Sequence, residues 1–142
     1  DTAVLGDGRL REVYYALLKG DAGDAARRAF GVGNEIARVI EHVSSHLDEA
    51  VTIDDMAAQV GMSRAVFHRK FKQATPMSPI QFVKALRLTN AAMRMAGGMT
   101  VNEAAMEVGF ERSSQFSREF KRLYGQSPRQ WSNSLQLPAG IT

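Results

Sequence analysis

The sequence contains no cysteine. That excludes disulfides, a thiolate nucleophile and a cysteine-based zinc site, and it suits a reducing compartment. No apolar run approaches the roughly 18 residues of a membrane span, and no charged-then-apolar segment opens the chain as a signal peptide would. A glycine-rich phosphate loop is missing as well: the pair Gly97-Gly98 stands alone and reads as a helix stop. Asp54 and Asp55 sit at a helix start and do not read as a catalytic dyad, and no serine has an evident base partner. His42 and His46 stand four apart on one helix, a spacing that suits zinc. Val43 follows the first of them, where a zinc protease carries glutamate, and no third ligand is evident. The expectation is a chain that is not an enzyme, holds no cofactor or metal, contacts no membrane and resides in the cytoplasm.

What the sequence does contain is helical periodicity and an uneven charge. At 142 residues it makes one domain or two small ones. It opens on Asp1 rather than Met and reads as part of something longer. Residues 1–51 carry 6 Lys/Arg against 9 Asp/Glu, and residues 52–142 carry 12 against 6, so the net charge of +3 divides into −3 and +6. A basic segment points first to polyanions such as nucleic acid, the alternative being a solvated surface.

Helix-like spacing runs almost throughout, and strand-like alternation is absent. Leu10, Val13, Tyr14, Leu17 and Leu18 share one face, and Gly20 ends their run. Asp24 is placed to cap a short helix through Phe30, which Gly31 and Gly33 break. Ile36, Val39, Ile40, Val43 and Leu47 form the next stripe.

From there the chain repeats itself. Val60 to Pro79, VGMSRAVFHRKFKQATPMSP, returns as Val108 to Pro128, VGFERSSQFSREFKRLYGQSP. Each copy starts with a threonine, Thr52 or Thr100, and an acid three residues on, Asp55 or Glu103, which together make a reciprocal helix cap. A short helix follows, with Met56, Ala57 and Val60 inward in one copy and Ala104, Ala105 and Val108 in the other. Gly61 or Gly109 then supplies the left-handed backbone of a tight turn, with a small residue, Ala57 or Ala105, four positions earlier where helices cross closely. A longer helix comes next, from Ser63 to about Gln73 or Arg112 to about Tyr124, with Phe67 and Phe71 or Phe116 and Phe120 on its inner face. Each copy closes on Ser-Pro with an aromatic three residues past the proline, Phe82 or Trp131. Between the copies, Ile80 to about Met95 reads as one joining helix, with Phe82, Val83, Leu86 and Met93 on one side. Helix, glycine turn and longer helix make the helix-turn-helix pattern, and two matched copies are far more specific than one.

These residues resemble the DNA-binding region of AraC/XylS-type transcription regulators. The second unit carries the strongest likeness, through Ala105, Gly109-Phe110, Gln115-Phe116-Ser117-Arg118, Phe120-Lys121, Tyr124-Gly125, Ser127-Pro128 and Trp131. The first unit matches through Ala57, Gly61-Met62-Ser63, Phe67-His68-Arg69, Phe71-Lys72 and Ser78-Pro79, and Phe82-Val83, Arg87-Leu88 and Ala91 resemble the family's linker helix. The likeness covers about residues 34–132. It departs at Thr75-Pro76, where Thr-Gly is usual, at Ala104, where a branched aliphatic residue is common, and at Ser132, where arginine is frequent.

The resemblance implies an all-α fold, with two helix-turn-helix subdomains joined by a long linker helix. Residues 34–78 would form the first unit, 79–96 the linker and 97–142 the second, together a DNA-binding domain. Residues 1–33 would be extra helices from the end of a missing upstream domain. It further implies a bacterial regulator of transcription, an activator, whose partners are double-stranded promoter DNA and RNA polymerase. The fragment would be monomeric, and the whole protein dimeric through its upstream domain. A DNA-repair relative in this family accepts methyl groups on cysteine, an activity that a cysteine-free chain lacks.

A recognition helix turns one side to its core and the other to the major groove. With Phe67 and Phe71 inward, Arg64, Ala65, His68, Arg69 and Lys72 fall together on the far face. Ser113, Ser114, Ser117, Arg118 and Lys121 hold the same places in the second unit. Arginine can bond a guanine edge twice, serine almost any base, and the alanine methyl can meet thymine. Lys72, Lys121, Arg64, Lys70, Arg112 and Arg122 suit phosphates, as do the capped helix N-termini at Thr52 and Thr100. The plainer readings are surface ion pairs for Arg69 and Arg118, and a helix cap for Ser113-Ser114. At the level of function, the competing classes are a helical protein-interaction adaptor using the basic face and a metalloenzyme using the histidine pair.

Overall fold

In the computed structural model, residues 12, 15, 16, 22–31, 33–75 and 77–141 are described, with side chains given through residue 135 except at Ala22. The stripe expected at Leu10, Val13, Tyr14, Leu17 and Leu18 lies outside them. From residue 22 on, eight helices follow in order: α1 (Ala22–Phe30), α2 (Glu35–Ser44), α3 (Ile53–Gln59), α4 (Arg64–Ala74), α5 (Pro79–Ala96), α6 (Val101–Glu107), α7 (Ser113–Tyr124) and α8 (Pro128–Ile141). Among the described residues there is no strand.

The repeat written in the sequence returns in the bonding. Thr52 accepts from the Asp55 N–H at 3.0 Å and donates its own N–H to the Asp55 carboxylate at 3.3 Å. Thr100 and Glu103 do the same at 3.2 Å in both directions, and the Thr100 hydroxyl also donates to the Glu103 carboxylate at 2.8 Å; that bond, with the one from the Thr100 N–H, holds the Glu103 carboxyl below the usual carboxylate range. At the far end of each short helix the chain reverses through a left-handed glycine, with φ 66° at Gly61 and 93° at Gly109. In each turn the N–H three residues past the helix reaches back to the small inward alanine, Met62 to Ala57 O and Phe110 to Ala105 O, both at 3.0 Å. Those two bonds are the six-to-one closure of a Schellman turn, which needs the left-handed residue. A further matched pair follows: Ser78 with Gln81 and Ser127 with Gln130 close reciprocal caps ahead of α5 and α8.

Ring geometry repeats too. Phe67 and Phe71 sit 5.8 Å apart and Phe116 and Phe120 5.5 Å apart, tilted by 48° and 50°. Phe71 then meets Phe82 edge-on at 5.4 Å, and Phe120 meets Trp131 edge-on at 5.8 Å. Each unit thus owns a core. The first gathers Met56, Ala57, Phe67, Phe71, Phe82, Val83 and Leu86 with Ile36, Ile40 and Val43 from α2. The second gathers Ala104, Ala105, Val108, Phe116 and Phe120 with Leu88, Ala91, Ala92 and Met95.

Helix α5 therefore serves two cores on two faces, and one expectation changes. Met93 was expected on the same buried side as Phe82 and Leu86, but it is 49% exposed. Its position continues the face of Phe82 beyond the end of the first unit. The second unit lies on a stripe through Leu88, Ala91, Ala92 and Met95, about 140° around the helix at 100° per residue. Asp24 also differs from expectation: it lies inside the first turn of α1, not at its cap, and pairs with Arg28 at 3.0 Å.

Helix α1 packs into the first core. Ala25, Ala26 and Ala29 are fully buried there, and Phe30 meets Phe71 edge-on at 4.8 Å. Thr75, at the departure from the usual Thr-Gly, is buried, and its hydroxyl bonds both the N–H and the carbonyl of Met77.

Candidate nucleic-acid interface

Helix α4 is oriented by its two phenylalanines, which have no exposed surface. With that side fixed, Arg64, Ala65, Arg69 and Lys72 are exposed on the opposite face and His68 is half-buried beside them. Phe116 and Phe120 orient α7 in the same way. Ser113, Ser114, Arg118 and Lys121 are exposed, and Ser117, the counterpart of His68, is half-buried. Every residue expected on the two reading faces therefore stands on the outer side of its helix. The faces differ in charge: α4 carries four Lys/Arg and no acid, net +4, whereas α7 carries three against Glu119, net +2.

Among the described residues, Arg64, Arg69, Lys72, Arg112, Arg118 and Lys121 form no ion pair, so these cations face solvent without a protein counter-charge. Arg122 differs, because it pairs with Glu119 at 3.5 Å. Neither Ser113 nor Ser114 caps its helix. The N-cap position of α7 is Arg112, in extended backbone, and among the described residues it has no side-chain cap bond. In the first unit the same place is Ser63, whose hydroxyl accepts from the Val66 N–H at 3.2 Å. The second unit has exchanged a cap for a cation and left the α7 N-terminus open, next to three small or charged exposed residues.

His42 and His46 stack at 4.3 Å, and the His46 Nδ1 lies 2.8 Å from the His42 carbonyl. Among the described residues no third His, Asp or Glu joins them to make a metal-sized cluster.

Sequence reasoning missed the place where the two units touch. Gly109 of the second turn packs against the carbonyl of Leu47, and Arg87 of α5 donates to the carbonyl of Glu49 at 3.1 Å. A cleft of about 630 Å³ opens beside this contact, lined by residues that include Arg87, Gly109, Phe110 and Arg112. The available signal was an arginine set between Leu86 and Leu88 in an otherwise apolar stretch of linker.

Comparison with known proteins agrees with this architecture. A family model described as a helix-turn-helix domain matches residues 56–134. The HTH-type transcriptional regulator MtrA of Neisseria gonorrhoeae is 35% identical over 97 residues, 68% of this chain and 32% of that protein. The chain thus spans about a third of that relative. The DNA-binding domain of AdpA, the global transcriptional factor, solved in complex with a target DNA, superposes with a TM-score of 0.67 at 27% identity, over 75% of this chain and 96% of that one. An AraC-type transcriptional regulator from Chromobacterium violaceum shares the fold, with a TM-score of 0.67 at 22% identity over 71% of this chain and 91% of that one. More than half of the residues fall inside the helix-turn-helix model, so the chain belongs to the AraC/XylS-type family of helix-turn-helix transcription regulators.

Proposed function

We propose that this chain binds double-stranded promoter DNA sequence-specifically, by laying α4 and α7 into adjacent major-groove segments. The observation that carries the reading is the matched pair of outer faces, each with an arginine at the same place, Arg69 and Arg118, and neither arginine ion-paired among the described residues. A guanidinium left free on a rigid helix is available for two parallel bonds to a guanine edge. Ala65, His68, Ser114 and Ser117 give the two faces different chemistry, so the two segments read would differ. Arg64, Lys72, Arg112, Ser113 and Lys121 are assigned to phosphates or flanking bases, which hold the register. In this reading the chain is a binding unit without catalytic activity and acts in the cytoplasm. It belongs to an activator whose further partner is RNA polymerase. The unit itself is monomeric, and dimerisation is a property of an upstream domain. The division at residues 1–33, 34–78, 79–96 and 97–142 is proposed on the same footing.

Selection from random duplexes followed by competition tests this. The selected duplex should outcompete random DNA by about 10³-fold or more at physiological salt. Equal competition by random DNA would refute sequence-specific binding and favour an adaptor that uses its basic face on an acidic protein.

A further inference from the structure

The two apolar cores share no residue. Helix α5 links them, but a single helix leaves the units free to bend and twist about it. A second tie crosses at its midpoint. Arg87 lies between Leu86, which belongs to the first core, and Leu88, which belongs to the second. Its Nη2 donates to the Glu49 carbonyl at 3.1 Å, in the loop that follows α2. A Cβ built on Gly109, in the turn of the second unit, would lie 3.6 Å from the Arg87 Cζ and Nε and 2.6 Å from the Leu47 carbonyl oxygen. Loop, linker and turn therefore meet around one guanidinium. Its Nε is buried without a hydrogen-bond partner among the described residues, and burial lowers the pKa of the group. A polar group in that setting costs desolvation, and directional bonding to a fixed carbonyl specifies one geometry where apolar surfaces tolerate sliding.

We infer that Arg87, wedged between the Glu49 carbonyl and the Gly109 turn, is a positioning residue that sets the angle between the two recognition helices and hence the spacing of the two DNA segments they accept. The inference rests on the DNA reading above for its consequence, though not for its geometry. The leverage is large. Two reading helices one duplex turn apart are separated by roughly 34 Å, so each lies roughly 17 Å from a junction between them, and a rotation of about 10° there displaces one of them by about 3 Å. That is nearly one base step of about 3.4 Å. Arg87 would therefore govern spacing while touching no base.

Two measurements on the full chain test it. In the first, duplexes carrying both selected segments are varied in separation by one or two base pairs either way. The native chain should prefer one separation by about tenfold, and Arg87→Ala should reduce that to below about threefold with the base preference inside each segment unchanged. Arg87→Lys should restore much of the preference, because one N–H can still reach the Glu49 carbonyl. Arg87→Met should not, although it keeps the apolar stem, and it carries the test should Arg87→Ala fail to fold. In the second, spin labels on Gln59→Cys and Asn133→Cys report the distance between units in free protein, and the chain offers no native cysteine to mislabel. A narrow distribution in the native background should broaden or shift by several ångströms in the alanine and methionine variants. Unchanged separation preference and unchanged label distances in both variants would overturn the proposal. A native chain that prefers no duplex would overturn the DNA reading instead, and the label distances would still decide the strut by themselves.

Discussion

Gly61 and Gly109 occupy the same step of the two turns, and their surroundings differ. Nothing lies within 4 Å of a Cβ built on Gly61, whereas one on Gly109 meets the Leu47 carbonyl at 2.6 Å. Gly61→Ala should therefore cost only the left-handed backbone penalty, about 1–2 kcal/mol. Gly109→Ala adds a collision with main chain and should cost about 3 kcal/mol or more by chemical denaturation. Tyr124 gives a second prediction at this scale. Its ring stacks on Phe120 at 4.4 Å, its hydroxyl is buried without a partner among the described residues, and burial pushes its pKa up to about 12. The folded state thus favours the protonated phenol. That preference is intact below the unfolded value near 10 and is lost as pH rises toward the folded value. Stability should fall by about 1–2 kcal/mol between roughly pH 10 and 12, discounting for partial exposure. Tyr124→Phe should remove that part of the alkaline loss and leave neutral-pH stability unchanged or slightly higher, as measured by denaturation at matched pH.

At the scale of the element, a recognition helix is held by its inward rings and tuned by its first turn. Phe71 touches the rings of Phe30, Phe67 and Phe82, and Phe120 those of Phe116, Tyr124 and Trp131. Truncating either to alanine should cost about 3–5 kcal/mol. An unchanged thermal midpoint for Phe120→Ala would mean that α7 faces otherwise. Arg112 supplies a sharper test, because its counterpart in the repeat is the capping Ser63. Arg112→Ser should raise stability by about 0.5–1 kcal/mol through the restored cap. The same change should weaken DNA binding and reduce the salt slope by about one, as expected for loss of a phosphate contact. A gain in stability with unchanged affinity would take Arg112 out of the interface.

The whole molecule reads DNA only if both units act at once. Arg69→Ala should relax base preference in one segment and Arg118→Ala in the other, each at about 1–3 kcal/mol, with segment centres about 10 base pairs apart. Uniform weakening from Arg118→Ala, with one block lost from Arg69→Ala, would make the second unit a clamp. The lower net charge of α7 and its short serines point to that as the outcome to watch for. Binding should also fall steeply with salt, since residues 52–142 hold the positive excess. A specific complex whose affinity is flat from low to physiological salt would contradict the phosphate contacts.

Capping pairs, glycine turns and the inward phenylalanines were legible in the sequence. Each is a local device whose partners lie within a few residues, and the repeat displayed each of them twice. The outer faces of α4 and α7 followed from the same register, because fixing Phe67 and Phe116 inward fixes what points out. Tertiary structure alone decided the rest. The exposure of Met93 depended on where the second unit docks along α5, which a single stripe of spacing cannot show. The packing of Phe30 against Phe71 joined α1 to a core far along the chain. The Arg87 junction brought together residues 47, 49, 87 and 109, whose sequence separations carry no periodic signal. Periodicity reports which side of a helix is buried, and only packing reports what buries it.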